Sequence, residues 1–280
     1  MVAKSKQISG VTVTTIKDAI WRKHLKRFKR GFLGTSRNAK ASKILNEEVL
    51  NFDYDSLSGV FEAFAYEPLI IENKRLGYRL RYLLEDFKDY AKNGYFVFYG
   101  FTSFSEADTK RNRRREKYGR ARNMAYLGSL PHFFETLYAG TIEEEGYEIY
   151  HAKDLDTGGR VIDINQLEVD SIVSQGNDAQ TKKLQFDDLL YVYYKNEKPP
   201  AEYFGFRAGV TVTRRTNTAT QESHLKMRDD ENTVYFESNG YIVNPLSVYS
   251  FGIWAFEKVG DLMPINYELL PTRKTRRRKR

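Results

Sequence analysis

The sequence predicts an α+β, β-rich fold in which two antiparallel sheet regions are separated by a central helical segment, with an N-terminal amphipathic helix. Aromatic residues make up 14% of the 280 residues, with 20 Tyr and 18 Phe, and such residues favour strands. Short alternating runs bounded by turn residues fill residues 48–104 and 184–270. Helical and strongly charged segments precede the first stretch and separate it from the second.

Residues 1–15 are predicted to be an N-terminal strand or linker remnant, since residues 8–15, ISGVTVTT, alternate and are β-branched. The next unit covers residues 16–150. It begins with a basic helix from Ile16 to Phe32, in which apolar residues such as Trp21, Leu25 and Phe28 recur at helical spacing. Glycines at positions 31 and 34 mark its end.

A meander of five strands should follow this helix. The predicted strands are Val49–Tyr54, Val60–Tyr66, Leu69–Glu72, Tyr78–Asp86 and Tyr95–Phe101. In the fourth strand every second residue is Tyr or Leu, and Arg79 and Arg81 lie between them. One face of this strand should therefore be apolar and the other partly basic.

The central helical segment is predicted in two parts. Residues 105–127 form a helix that Ser105 would cap, with acidic residues in its first turn. Leu130–Tyr138 forms a second helix, with Pro131 in its first turn and an end at Gly140.

The remaining chain divides by composition. Residues 151–182 are predicted to be a linker or loop, because they contain AKDLDTGG and SQGNDAQTKK. Residues 183–270 should form a C-terminal antiparallel β region with a hairpin at Asn239-Gly240. In that region Trp254 should be a core residue of a strand. Residues 271–280 should be a disordered basic tail.

Composition excludes several classes of protein. The absence of Cys excludes disulfide scaffolds, thiol catalysis and Cys-ligated zinc. No apolar run is long enough for a membrane-spanning helix. The start, MVAKSKQISGVTV, lacks the apolar segment of a signal peptide, so a genuine start at Met1 would place the protein in the cytoplasm.

Charge is strongly segregated along the chain, whose net charge is +8. Seven of the last eight residues are basic, and residues 110–122 contain eight Lys or Arg against one Glu. Basic segments of this kind can neutralise phosphates or anionic lipid, or can simply form a solvated surface. The candidate anion-binding residues are Lys110, Arg111, Arg113, Arg114, Arg115, Arg276, Arg277 and Arg278.

One pair of residues resembles a catalytic zinc motif. His132 and Glu135 are three residues apart on the second predicted helix and share one of its faces. A catalytic zinc usually has three protein ligands, and no motif supplies the third, so packing of His132 beside Phe133 and Phe134 is the favoured interpretation. No phosphate-binding loop or nucleophile elbow is present. The sequence therefore predicts no catalytic residues, no metal site and no cofactor.

The order of several motifs resembles a known family. FLGTS is followed by LNFDYD, EPLIIENKRLGYRL, GYFVFYGFTSF, AYLGSLPHFFETLY and EEEGYEIY, and the chain closes with SNGYIVNPLSVYSFGIWAFEKVGDLMPINYEL. This order resembles the carboxypeptidase-like regulatory domain-containing proteins of Bacteroidota, from about Trp21 to Leu270. The resemblance implies an exported, envelope-associated, non-catalytic protein. The signal peptide and regulatory β-sandwich that open typical members are missing here.

Three hypotheses about function follow. The first is a non-enzymatic structural or binding protein of the periplasm or cell envelope, with an envelope protein or a glycan as its partner. The second is a nucleic-acid-binding protein that uses the basic helices and tail, which could also bind other anionic surfaces weakly. The third is a metal-dependent hydrolase built around His132 and Glu135.

Overall fold

The computed structural model describes residues 19–107, 109, 112–155, 159–205, 220–228 and 231–271. The strand expected within residues 1–15 and the tail after Pro271 lie outside the described residues. Six helices have the bounds α1 Ala19–Phe32, α2 Arg37–Lys40, α3 Asn112–Tyr126, α4 Leu130–Ala139, α5 Val169–Ile172 and α6 Ile253–Phe256.

Fourteen strands in three antiparallel sheets accompany these helices in the described part of the chain, which confirms the α+β, β-rich fold class. Their bounds are β1 Ser42–Ile44, β2 Leu50–Tyr54, β3 Val60–Ala65, β4 Leu69–Asn73, β5 Tyr78–Tyr90, β6 Tyr95–Glu106, β7 Tyr147–Asp154, β8 Arg160–Gln166, β9 Val173–Gln175, β10 Thr181–Leu184, β11 Leu189–Tyr194, β12 Gln221–Met227, β13 Val234–Glu237 and β14 Val248–Gly252.

The first six strands form sheet A, in the order β1-β4-β5-β3-β2, with β6 on the other side of β5. Strand β5 alternates as the sequence predicts: Tyr78, Leu80, Tyr82 and Leu84 are buried, whereas Arg79, Arg81 and Leu83 are exposed. Helix α1 packs on the buried face, where Phe28 and Phe32 meet Phe87 of β5. This face forms the first hydrophobic core, and α3 adds Ala121 and Ala125 to it.

Sheet B has the order β14-β12-β11-β7-β8, and the small sheet C has the order β13-β10-β9. A second hydrophobic core lies between these sheets and α4. Phe133 and Phe134 of α4 are fully buried in it and contact Trp254 and Phe236 respectively. Ser129 caps α4 by accepting a hydrogen bond from the His132 backbone N–H, and Gly140 ends the helix in the left-handed region.

Three predictions about secondary structure are wrong. Residues 151–182 are not a linker or loop, because they contain the second half of β7 together with β8, α5, β9 and the start of β10. Their polar composition reflects strands at the margins of sheets, where few side chains are buried. Ser105 caps no helix, since β6 continues to Glu106 and α3 begins only at Asn112. Trp254 is buried as expected, but it lies in α6 rather than in a strand.

Replacing Trp254 should reveal its place in the second core. Its ring contacts Phe133 at 4.9 Å between centroids, and its indole N–H donates to the Gly128 carbonyl at 2.8 Å. We expect Trp254→Ala to lower the free energy of unfolding in urea by about 3–5 kcal/mol. Trp254→Phe keeps an aromatic ring and should lose less. An unchanged urea midpoint for Trp254→Ala would contradict this placement.

Candidate functional site

The exposed arginines of the basic segment lie at the start of α3. Arg113, Arg114 and Arg115 are all exposed, and none forms an ion pair with a described residue. Lys110, Arg111, Arg276, Arg277 and Arg278 lie outside the described residues. The structure therefore presents three of the eight candidate residues as one exposed group.

Arg122, from the same basic run, has a structural role instead. Only 6% of this residue is exposed, and its guanidinium lies 3.8 Å from the ring centre of Tyr78. Its nitrogens donate to the backbone carbonyls of Leu76 at 2.8 Å and Gly77 at 3.1 Å, and to the Glu106 carboxylate at 2.8 Å. These contacts anchor α3 to the start of β5 and the end of β6.

The C-terminal segment from Pro264 to Pro271 lies along α3. Asn123 joins the two, because its amide donates to the Leu270 carbonyl at 2.8 Å and accepts from the Tyr267 hydroxyl at 2.6 Å. A cleft of about 950 Å³ separates this segment from the exposed part of α3. Its lining includes Arg115 and Arg120 on one side and Pro271 on the other. The last described residue before the basic tail therefore lies beside the basic start of α3.

His132 is part of a buried polar network at the start of α4. Its Nδ1 accepts from the Gly128 backbone N–H at 3.2 Å and lies 2.8 Å from the Tyr147 hydroxyl. Because Nδ1 accepts, the ring proton belongs on Nε2, which lies 3.8 Å from a Glu145 carboxylate oxygen. Burial lowers the pKa of His132 to about 4, so the imidazole is neutral at pH 7.

The described residues do not complete a zinc site around His132. No three or more His, Asp and Glu side chains among them come close enough together to hold a metal ion. Glu135 is half-buried, and burial and the nearby Glu145 carboxylate raise its pKa. His132 is buried and packs against the rings of Tyr126 and Tyr147, two partners that the sequence did not indicate.

The face of sheet A opposite the first core is open in the described part of the chain. We call this the outer face and define it by Arg79, Arg81 and Leu83 of β5 and their cross-strand partners on β6, Ser105, Ser103 and Phe101. Phe101 is 65% exposed and Leu83 is 40% exposed. Neither arginine of this face forms an ion pair with a described residue. The face therefore combines exposed apolar side chains with two arginines. Glu72 of β4 is the cross-strand partner of Arg79 on this face.

Sheet B carries a row of stacked rings that the sequence does not reveal. Tyr191, His224 and Phe251 lie on three neighbouring strands, and His224 stacks on the other two rings with 4° between the planes. Burial and the neighbouring Arg160 lower the pKa of His224 to about 3. The Tyr191 hydroxyl donates to the Glu222 carboxylate at 3.1 Å. Alternation in β11 and β12 could have indicated a shared face, but not the pairing of these strands.

Comparison with known proteins gives no relative for this chain. No protein-family model, no curated protein and no solved structure matches it. No helix of the described residues is long and apolar enough to cross a membrane.

Replacing two different arginines of the same basic run should have very different effects on the free energy of unfolding. Arg122→Ala leaves two carbonyls without their charged donor, so we expect unfolding free energy to fall by about 3 kcal/mol. Arg113→Ala removes the same side chain from an exposed site and should change stability by less than about 0.5 kcal/mol. Urea unfolding of both variants checks this. Equal effects would show that Arg122 does not anchor α3.

The free energy of unfolding should depend on pH because His132 is buried. Between pH 6.5 and 4 the unfolded chain protonates this imidazole and the folded chain does not, so His132 lowers stability as the pH falls. A pKa of about 4, against 6.5 unfolded, corresponds to about 3 kcal/mol.

The measurement compares the wild type with His132→Gln, which cannot titrate in this range. We expect the stability of the wild type relative to this variant to fall by about 3 kcal/mol from pH 7 to pH 4. The difference removes contributions from other titrating groups, such as Glu197, whose pKa burial raises to about 7. A difference that does not change with pH would mean that the imidazole is accessible to solvent.

Proposed function

We propose that this protein is a non-enzymatic binding protein of the cell envelope and that the outer face of sheet A binds an acidic glycan. The single observation that carries this proposal is the exposure of Phe101 and Leu83 beside Arg79 and Arg81, neither of which forms an ion pair with a described residue. The envelope location and the absence of catalysis rest on the resemblance of the sequence motifs to the Bacteroidota family.

The chemistry of the outer face suits a sugar chain that carries carboxylates. Aromatic rings pack against the apolar faces of sugars, and Phe101 offers such a ring at the surface. Arginine binds carboxylates through paired N–H groups, and Arg79 and Arg81 lie two residues apart on the same side of β5. Ser103 and Ser105 add hydroxyls opposite these arginines. An extended anionic polymer would follow the strands.

The arginines of the outer face should therefore be required for binding. We expect Arg79→Ala/Arg81→Ala to weaken binding of polygalacturonate at least tenfold, because two charge-assisted contacts are lost. Phe101→Ala should weaken it as well, through loss of ring packing. Isothermal titration calorimetry with polygalacturonate, and with dextran as a neutral polymer, measures these effects.

The matched control is Arg113→Ala/Arg114→Ala, which removes the same charge from the exposed start of α3. This control should bind polygalacturonate within about twofold of the wild type. Equal losses in the two double variants would indicate general charge attraction and contradict a site on the outer face. Binding of dextran with wild-type strength would contradict the role of the carboxylates.

A second candidate function is binding of single-stranded nucleic acid. The observation that favours it is that Pro271 lines the same cleft as Arg115 and Arg120 of α3. Pro271 is the last described residue before the basic tail. If nucleic acid is the ligand, Arg113→Ala/Arg114→Ala should lower affinity for a single-stranded oligonucleotide more than Arg79→Ala/Arg81→Ala does. Added salt should weaken that binding steeply, since phosphate contacts release counterions.

A further inference from the structure

Strand β6 leaves one long edge of sheet A without a partner in the described part of the chain. It pairs with β5 along its whole length, and no described strand pairs with its other side. None of its twelve residues is buried, although most alternate residues of the neighbouring β5 are. Among the described residues, none bonds to the backbone N–H and C=O groups of β6 that point away from β5.

This edge lacks the features with which proteins usually prevent pairing. Exposed edge strands are commonly short, or carry Lys or Pro. The other two terminal strands of sheet A fit this pattern: β1 has three residues and includes Lys43, and β2 has five and includes Asp53. By contrast, β6 reads YFVFYGFTSFSE, with no charge before Glu106 and no Pro. A strand of this composition is expected to be covered in the functional protein.

We infer that β6 is the contact edge for a second copy of this chain, which adds its own β6 in the antiparallel direction to form one continuous twelve-stranded sheet. Antiparallel pairing of a strand with its own copy satisfies two-fold symmetry, so a single surface serves both protomers. Because residues 95–105 are uncharged, no like charges face each other in the pair. Such a pair forms about ten backbone hydrogen bonds, the number found in a typical stable interface.

The exposed ring of Phe101 supports self-pairing in particular. Phe101 lies next to the midpoint of β6, so a two-fold pair can place Phe101 directly opposite Phe101 of the copy, with both side chains on the outer face. Each Phe101 also has Leu83 as its partner on β5. Phe101 is 65% exposed and Leu83 is 40% exposed in one chain. Pairing would thus bring these residues of the two copies together as one continuous apolar strip on the outer face.

The direction of each N–H group in β6 identifies a decisive substitution. The Ala107 N–H donates to the Gly77 carbonyl at 2.8 Å, so residues 77 and 107 form a hydrogen-bonded pair. Antiparallel strands alternate such pairs with non-bonded ones, which places the N–H of Thr102 on the free edge. Proline at position 102 therefore removes a donor to a partner strand without removing a bond to β5.

The test measures self-association by sedimentation equilibrium over a range of protein concentrations. We expect the wild type to dimerise and Thr102→Pro to raise the dimer dissociation constant at least tenfold. The matched control Thr102→Val keeps the N–H and should dimerise like the wild type. Circular dichroism and urea unfolding establish that each variant is folded. A monomeric wild type at all concentrations, or a dimer that Thr102→Pro leaves intact, would overturn the inference.

A charge-reversal pair keeps the inference testable if Thr102→Pro fails to fold. Phe101→Lys and Phe101→Glu each place like charges near each other across the two-fold axis, so each variant alone should dissociate. Mixing the two variants in equal amounts should restore a dimer, because opposite charges then face each other. Failure of the mixture to associate, while the wild type does, would place the dimer contact elsewhere.

Discussion

The six residues from Trp254 to Val259 connect the two hydrophobic cores, and the arrangement of the whole molecule depends on them. Trp254 is buried in the second core, whereas Val259 is buried in the first. Beyond Val259, the Gly260 N–H donates to the Leu33 carbonyl at 3.0 Å, and the Gly260 carbonyl accepts from Asn73 at 2.8 Å. A segment this short limits the distance between the two cores, because an extended chain spans at most about 3.5 Å per residue.

The connection carries charged groups into poorly solvated surroundings. Burial raises the pKa of Glu257 well above its usual range, and it raises the pKa of Asp261 to about 6. It lowers the pKa of Lys258 to about 8, where the ammonium group lies 5.4 Å from the ring centres of Phe96 and Phe98. Such desolvation disfavours the charged forms, and hydrogen bonds from Ser36 and Asn38 to Asp261 offset part of this cost. The protonation of the junction therefore depends on pH through Glu257, Lys258 and Asp261.

Sheet A buries one face and leaves the other exposed in the described part of the chain. In sheet A, α1 and α3 cover the face that carries Phe87 and Tyr82, and the opposite face retains Arg79, Arg81 and Phe101. The edge of β6 that no described strand pairs with adjoins that same face, so the proposed ligand surface and the proposed dimer contact meet at Phe101. A dimer formed through β6 would place two sets of the Arg79 and Arg81 side chains on one continuous sheet, which favours a polymeric ligand over a small molecule.

The sequence by itself determined the features that depend on local periodicity and end signals. Alternation in residues 78–84 correctly assigned the two faces of β5, and Pro131 and Gly140 correctly marked the two ends of α4. Hydrophobicity also identified Trp254 as a core residue. Each of these features depends on interactions between residues that are close together in the sequence.

Only the tertiary structure decided the features that depend on partners distant in sequence. Residues 151–182 pair as strands with partners that include β11 and β13, and such pairing compensates for their turn-like composition. Arg113 and Arg122 belong to one basic run, but only Arg122 lies against the carbonyls of Leu76 and Gly77, 46 and 45 residues away in sequence. The free edge of β6 likewise follows from strand order. Composition shows which side chains are apolar or charged, whereas long-range pairing determines which of them remain exposed to bind a partner.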